Sequence, residues 1–241
     1  MTEMEIIDSH THWGPSVTMG IEVTTDEILS QAEESGVKRI VIFPFPSKAL
    51  VDEEANQKLL EEAKRVKRFI PYYYIPETMK PIPSGMGFFG GKWHWMRGVQ
   101  DSSSNYKALE DPRLVEFIEA SEKIDLPIVF EEELAFTETF VKKTTHLRII
   151  IPHLGMLGGN PIDFLHAFRE KENVFFDTAL SSSDMIMKFI ETIGTQRILF
   201  GSDIPFGTMK WELEKVLSLP IGDDEKEGIL SRNLRSLIGL S

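Results

Sequence analysis

Short β-type runs alternate with longer amphipathic segments along almost the whole chain, and this alternation limits the fold more than any other sequence feature. The run 38–43 is rich in Ile and Val, for example, and the next segment carries Leu59, Leu60 and Ala63 at helical spacing. Strands that alternate with helices are typical of a parallel sheet. The predicted strands cover residues 5–8, 38–43, 69–75, 95–100, 127–131, 148–151, 174–177 and 197–200.

These strand–helix units predict an α/β protein of the (β/α)8 TIM barrel class, because right-handed crossovers would close eight of them into one barrel. A doubly wound open sheet is the competing architecture. The length of 241 residues suits a single barrel domain over 1–241, since such barrels commonly have about 250 residues. The segment 76–91 is rich in Pro and Gly and lacks a clean period, so we predict a loop over the barrel mouth.

The charge balance and the lack of cysteine exclude several kinds of function. The chain has 38 acidic and 26 basic residues, a net charge of −12, and no Lys/Arg cluster for nucleic-acid phosphates, so we expect no nucleic-acid partner. No run approaches the roughly 18 apolar residues of a membrane span. The N-terminus lacks a signal-peptide pattern, so we expect a cytoplasmic protein. We also expect its substrate to be a small molecule. The sequence is compatible with a homo-oligomer but contains no interface signal.

Asp8, His10 and His12 end the first apolar strand and form the sharpest chemical motif. Side chains alternate between the two faces of a strand, so residues two apart share a face and these three should point the same way. Two imidazoles at this spacing can reach one divalent ion. With no cysteine in the chain, His, Asp and Glu must supply the other ligands.

Three further titratable residues follow apolar strands. Asp203 lies in Gly-Ser-Asp after the last strand, where barrel enzymes place catalytic groups, although it could simply cap the next helix. His153 follows a run of Ile residues, and a structural role is its alternative. Glu131 begins three successive glutamates and shares a face with Glu133, but these carboxylates could also form a solvated helix start.

Taken together, these strand-end motifs resemble the amidohydrolase superfamily, and most closely its amidohydrolase-2 branch of compact metal-dependent hydrolases and decarboxylases. The resemblance covers nearly the whole chain. It rests on the stretches 8–12, 153–155, 200–203 and 233–240, which occur in the order and spacing of that family.

The resemblance implies roles for individual residues. In similar enzymes the His pair of strand 1, here His10 and His12, binds the metal. The strand-8 aspartate, here Asp203, binds the metal and takes a proton from the nucleophilic water. The strand-6 histidine, here His153, binds a second metal or polarises the substrate and the water.

The chain departs from the family at two positions. The strand-5 position usually ends in His, and the matching residue here is Glu131, which is still a legitimate ligand for zinc, manganese or iron. The strand-4 position, where some relatives carry a bridging modified lysine, is Gln100, which cannot form a carbamate. We therefore expect one divalent metal, zinc as first choice with manganese or iron as alternatives. Two metals bridged by Glu131 are the second choice.

Weaker candidates lie around this set. Arg97 could bind a substrate carboxylate or phosphate with its planar guanidinium, or form a surface salt bridge. Trp13 could line an apolar substrate pocket. The loop aromatics Phe88, Phe89, Trp93, His94 and Trp95 could line it as well, or could anchor the loop to the body of the protein. Asp177 ends strand 7 and is a candidate partner for a ligand histidine.

Three functions follow from the sequence. The first is a hydrolase that cleaves an amide, ester or lactone of a small molecule with a metal-activated water. The second is a decarboxylase of an aromatic or unsaturated acid at the same site, for which a carboxylate-binding Arg97 would be suitable. The third is a barrel without catalysis that serves as a binding protein, and the replacement at Glu131 is its main support.

Overall fold

The computed structural model describes residues 5–45, 53–95 and 103–240. Within these ranges one curled sheet of nine strands is found, in the order β2-β1-β3-β4-β5-β6-β7-β8-β9. β2 is antiparallel to β1, and every other neighbouring pair is parallel. The strands are β1 (Ile7–Ser16), β2 (Ile21–Val23), β3 (Arg39–Pro44), β4 (Phe69–Tyr74), β5 (Gly90–Trp93), β6 (Ile128–Phe130), β7 (Ile149–Ile151), β8 (Val174–Asp177) and β9 (Ile198–Leu199).

Helices connect the parallel strands, so the predicted α/β architecture with a parallel sheet is confirmed. The first helix shows how the sequence sets their ends. The Thr24 side chain accepts a hydrogen bond from the backbone of Glu27, the Glu27 carboxylate accepts one from Thr24, and Gly36 ends the helix in a left-handed conformation. The helices are α1 (Thr25–Ser35), α2 (Glu54–Arg65), α3 (Arg113–Ile124), α4 (Leu134–Lys143), α5 (Pro161–Phe168), α6 (Ser183–Ile193), α7 (Met209–Leu217), α8 (Asp223–Glu227) and α9 (Asn233–Ile238).

Two apolar cores lie on the opposite faces of the sheet. Ile40 and Ile42 of β3 belong to the larger core, which lies between the sheet and the helices. Val41 and Phe43 alternate with them and belong to a smaller core on the concave face, together with Tyr72. Parallel strands with both faces buried read as continuous apolar runs, which explains why these strands are prominent in the sequence.

Backbone hydrogen bonds join β1 to the segment that follows β9. The Ser9 N–H donates to Phe200 O at 2.9 Å, and the Asp203 N–H donates to His10 O at 2.8 Å. His12 donates to the backbone carbonyl of Ile204 at 3.0 Å. The carboxyl ends of the first and last strands are therefore neighbours, and Asp203 lies beside β1.

The fourth parallel strand lies earlier in the chain than predicted: it is β5 at Gly90–Trp93, paired with β4 and β6. Of the predicted segment 95–100, all but Trp95 lies outside the described residues. The two glycines of β5 hid this strand, because glycine is depleted in strands. Gly90 is required by packing, since a Cβ there would lie 2.5 Å from the ring of Tyr72. Lys92 is therefore the strand-4 residue, while Gln100 lies outside the described residues.

As predicted, residues 76–89 form a loop with neither helix nor strand, but this loop packs into the protein body. Met79, Ile82 and Phe88 are buried in the core between the sheet and the helices. Phe88 contacts the ring of Tyr73 edge-on, with centroids 5.3 Å apart. This part of the loop is a packed element of the protein body. No helix in the described parts of the chain has the length and hydrophobicity needed to cross a membrane.

Candidate metal centre

Four of the predicted ligands meet at the carboxyl ends of the strands. His10 Nε2 lies 3.2 Å and His12 Nε2 lies 3.3 Å from Asp203 Oδ1. His153 Nε2 lies 3.8 Å from Asp203 Oδ2. His10, His153 and Asp203 each offer an atom within 4.8 Å of the others, and all are buried. This set is compact enough to surround one divalent ion.

A bulge in β1 orients the two imidazoles. β1 carries one extra residue relative to β3 between Asp8 and Thr11. The expectation that Asp8 shares a face with His10 and His12 is therefore wrong, because simple alternation does not hold across a bulge. The Asp8 carboxylate instead accepts hydrogen bonds from the hydroxyls of Thr11 at 3.1 Å and Ser202 at 2.5 Å.

The ring of His10 is held by a carboxylate from the opposite side. His10 Nδ1 lies 2.8 Å from Asp177 Oδ2, and because a carboxylate only accepts, Nδ1 carries the proton. Nε2 is then the nitrogen that faces Asp203. Burial lowers the pKa of His10, but the negative charges of Asp177 and Asp203 outweigh burial and raise this pKa to about 9. The cluster thus favours a positive charge at this point.

His12 has different surroundings. Its ring stacks on Phe45 with centroids 4.6 Å apart, and Phe206 contacts it edge-on at 5.9 Å. Burial lowers the pKa of His12 to about 4, so its imidazole is neutral near pH 7. The neutral form is the one that ligates a metal.

His153 and Asp203 both have left-handed backbone conformations, with φ of 55° and 54°. Such positions cost about 1–3 kcal/mol for a residue other than glycine and are enriched at functional sites. The His153 N–H donates to Asp177 Oδ1 at 2.9 Å, which holds that turn. Burial raises the pKa of Asp203, but the imidazoles of His10 and His153 outweigh burial and hold this pKa well below its usual range.

The two carboxylate oxygens of Glu131 contact different residues: Oε1 faces His153, and Oε2 faces Lys92 and His94. Its Oε1 lies 3.8 Å from His153 Nε2. Its Oε2 lies 2.5 Å from Lys92 Nζ and 3.1 Å from His94 Nδ1. Burial raises the pKa of Glu131, but the charges of His94 and Lys92 outweigh burial and hold it well below its usual range. Lys92 is a site residue that the sequence analysis missed. The one feature of the sequence that could have indicated it is a lysine within the strand β5.

Several other candidates lie away from these ligands. The side chain of Glu132 is buried and points away from the proposed ligands. Its Oε1 accepts hydrogen bonds from Trp93 Nε1 at 3.1 Å and from the Trp95 backbone at 2.7 Å. The rings of Trp93 and Trp95 stack on each other, with centroids 4.0 Å apart, in the larger core between the sheet and the helices. Phe88 is buried in the same core. These aromatic rings are core residues, which agrees with the second alternative, that they anchor this part of the chain to the body of the protein. Phe89 packs against the smaller core on the concave face of the sheet.

The two predicted substrate-binding residues have different outcomes. Arg97 lies outside the described residues. Trp13 is partly buried, and its indole N–H donates to Thr25 Oγ1 at 3.0 Å. Together with Phe45 it lines a cavity of about 400 Å³, and Phe45 in turn stacks on His12. A substrate role for Trp13 stays a prediction.

The orphaned polar atoms at the centre fit a cation. His10 Nε2 and Asp203 Oδ1 are buried and face each other, yet neither makes a hydrogen bond to any residue the structure describes. Unpaired buried polar atoms are costly, so their convergence calls for a partner. Imidazole and carboxylate ligands suit zinc, manganese and iron.

Comparison with known proteins agrees with the resemblance seen in the sequence. The family model described as Amidohydrolase matches residues 93–240, which is more than half of the chain. This match includes His153 and Asp203. No curated protein sequence matches the chain significantly.

Solved structures with the same fold include enzymes of two reaction types. 2,6-Dihydroxybenzoate decarboxylase from Rhizobium has a TM-score of 0.78 and 17% identity, covering 99% of each chain. Dihydroxybenzoic acid decarboxylase from Polaromonas sp. JS666, with bound manganese and 2-nitroresorcinol, has a TM-score of 0.78 and 15% identity over 99% of this chain and 98% of that one. A probable 2-pyrone-4,6-dicarboxylic acid hydrolase from Acinetobacter baumannii has a TM-score of 0.75 and 15% identity, covering 98% and 100%. At such identities the likeness shows the fold alone.

Proposed function

This chain belongs to the amidohydrolase family of enzymes, and we propose that it is a metal-dependent hydrolase that cleaves an amide, ester or lactone bond of a small molecule. The observation that carries the proposal is the convergence of unpaired His10 Nε2 and Asp203 Oδ1 in a buried site. A buried, ionised aspartate beside imidazole ligands is an arrangement suited to water activation.

The proposal includes a closed (β/α)8 barrel formed by one domain over 1–241. The hydrogen bonds between β1 and the segment 200–204 support closure, because they pair the first strand with the end of the last one. In such barrels the catalytic groups lie at the carboxyl ends of the strands. His10, His153 and Asp203 have this location.

In this proposal His10, His12, His153 and Asp203 hold one divalent ion, and Glu131 can add Oε1. Zinc is the first choice because it accepts imidazole and carboxylate ligands in a tetrahedral set. Manganese and iron are the alternatives, and manganese is the ion bound in the Polaromonas decarboxylase.

Each residue then has a chemical task. A divalent ion held there would lower the pKa of a bound water from about 16 to about 7 and polarise the scissile carbonyl. Asp203 would orient the water, accept its proton at Oδ2 and pass it to the leaving group. As the alternative to ligating the ion, His153 Nε2, which lies 3.8 Å from Asp203 Oδ2, would hydrogen-bond the developing oxyanion. Asp177 keeps Nε2 of His10 directed at the centre.

Decarboxylation of an aromatic acid is the second candidate. The aromatic rings of Phe45 and Phe206 flank His12, and an aromatic substrate could pack against such rings. Arg97 remains the residue proposed to bind the carboxylate of the substrate. Two structural relatives are decarboxylases of dihydroxybenzoates.

Metal analysis of purified protein, followed by substrate screening, tests the proposal. Plasma mass spectrometry should find about one equivalent of divalent metal in the native protein, a loss in His10→Ala, and no change in His166→Ala, where the side chain is exposed on α5. Lactones, esters and amides should then be cleaved. Carbon dioxide release from aromatic acids without cleavage would favour the decarboxylase. A protein that takes up neither zinc nor manganese would overturn both and leave a binding role.

A further inference from the structure

Lys92 is a fully buried lysine that the proposed reaction does not use. It lies in the middle of β5, and its side chain is inaccessible to solvent. Its Nζ lies 2.5 Å from Glu131 Oε2 and 4.7 Å from the centroid of the Phe43 ring. A buried lysine is rare unless it is paired, so a carboxylate and an aromatic face together stabilise this ammonium at the metal centre.

The pairing divides the two oxygens of Glu131 between two sides. Oε1 faces the imidazole of His153 at 3.8 Å, on the side of Asp203. Oε2 faces Lys92 at 2.5 Å and His94 at 3.1 Å. A carboxylate that bridges two ions through its two oxygens needs both of them free. Metal–oxygen distances for zinc are about 2.0–2.2 Å, so an ion bound to Oε2 would lie where the Lys92 Nζ now lies.

The charges of the cluster lead to the same result. Three carboxylates contact the imidazole rings, namely those of Glu131, Asp177 and Asp203. The Lys92 ammonium and one divalent ion together match these three negative charges. A second divalent ion would place two further positive charges beside a buried ammonium, where screening by water is weak.

We propose that the Lys92 ammonium is a built-in cation that occupies the second position beside Glu131 and so restricts the centre to one divalent ion. This inference rests on the proposed metal-dependent function. Lys92 is a positioning residue here: it holds Glu131 Oε2, leaving Oε1 for the ion held by His153 and Asp203.

The test is manganese stoichiometry, measured on the whole protein after loading with Mn²⁺ in the presence of bicarbonate and removal of free metal. The wild type should hold one equivalent, and Lys92→Met should hold two, because this substitution keeps the bulk and removes the charge. Lys215→Met is the matched control: Lys215 Nζ also lies 2.5 Å from a glutamate, Glu212, but its other contact is the backbone carbonyl of Ser181 and not a proposed ligand, so one equivalent should remain. Circular dichroism checks that each variant is folded.

Electron paramagnetic resonance of the manganese-loaded wild type keeps the inference testable if Lys92→Met does not fold. An isolated Mn²⁺ spectrum is expected, and a spin-coupled pair would overturn the proposal. Two equivalents in the wild type, with a mass gain of one carbon dioxide on Lys92, would overturn it as well and identify a bridging carbamate. A folded Lys92→Met that still holds one equivalent would also overturn it. A wild type without any metal would instead refute the proposed function itself.

Discussion

The imidazole of His10 and the carboxylate of Asp177 are joined by a hydrogen bond of 2.8 Å between Nδ1 and Oδ2, and both side chains are fully buried. They come from β1 and from the end of β8, 167 residues apart in the chain. The bond keeps the proton on Nδ1 and leaves Nε2 for the proposed ion. It also explains why Asp177, which offers no atom to the candidate ligand group, lies at the centre.

Asp177→Asn is expected to weaken metal binding by about 10- to 100-fold, because the partner of a ligand histidine fixes its tautomer and orientation. An amide oxygen also raises the basicity of the ring less than a carboxylate does. Competition with a chelating indicator measures the affinity. Asp163→Asn on the exposed surface of α5 is the control and should bind as the wild type does. Unchanged affinity in a folded Asp177→Asn would contradict the orienting role.

Metal binding should release protons near neutral pH. The raised pKa of His10, about 9, means that Nε2 carries a proton at pH 7 that competes with the ion. Apparent affinity should therefore rise with pH, by up to about tenfold per unit, and level off above pH 9. Because the pKa of His12 is lowered to about 4, its imidazole is already neutral above pH 5 and releases no proton when the metal binds. Calorimetry in buffers of different ionisation enthalpy counts the protons, and none released at pH 7 would disprove this prediction.

Gly201→Ala is expected to reduce metal affinity and stability together. A Cβ at Gly201 would lie 3.0 Å from the Cβ of His10 and 3.3 Å from Cγ of Asp177, so both side chains would have to move. Overpacking of this kind typically costs about 1–3 kcal/mol. Gly222→Ala is the control, since its nearest neighbour would be 3.5 Å away and its φ is negative. Urea denaturation and metal titration of both variants check the difference.

Ser202→Ala is expected to lower the free energy of unfolding by about 1–3 kcal/mol, because the buried Asp8 carboxylate loses its 2.5 Å hydrogen bond. Burial raises the pKa of Asp8 from 3.8 to about 6, so the folded state holds the proton more tightly than the unfolded state. Wild-type stability from this group therefore falls as pH rises from about 4 to 6.

The loss in free energy of unfolding caused by Ser202→Ala should be larger at pH 8 than at pH 5. The ionised Asp8 carboxylate depends more on the lost hydroxyl donor than the neutral carboxylic acid does. Urea denaturation at the two pH values measures this loss. Ser218→Ala, at an exposed helix end, should change stability by less than about 0.5 kcal/mol at both. An equal deficit for Ser202→Ala at pH 5 and pH 8 would argue against an ionised Asp8.

Local patterns predicted the elements that depend on local interactions. The sequence predicts a helix over 24–35 that is opened by Thr25 or Asp26 and closed by Gly36. The structure confirms the helix and Gly36, but its N-cap is Thr24. The apolar strands β3 and β8 were predicted to within a residue, since both of their faces are buried. By contrast, β5 was misplaced because Gly90 is selected by the ring of Tyr72, a contact that no local pattern records.

The sequence by itself determined the kinds of proposed ligand and their places at the ends of strands, because His10, His12, His153 and Asp203 are titratable residues that directly follow or end apolar runs. Only the tertiary structure decided which groups meet. The bulge that removes Asp8 from the cluster, and the pairing of Lys92 with Glu131 across 39 residues, depend on strand register and curvature. Register is a relation between distant segments, so the chemistry of a strand end can be read from sequence while its partners cannot.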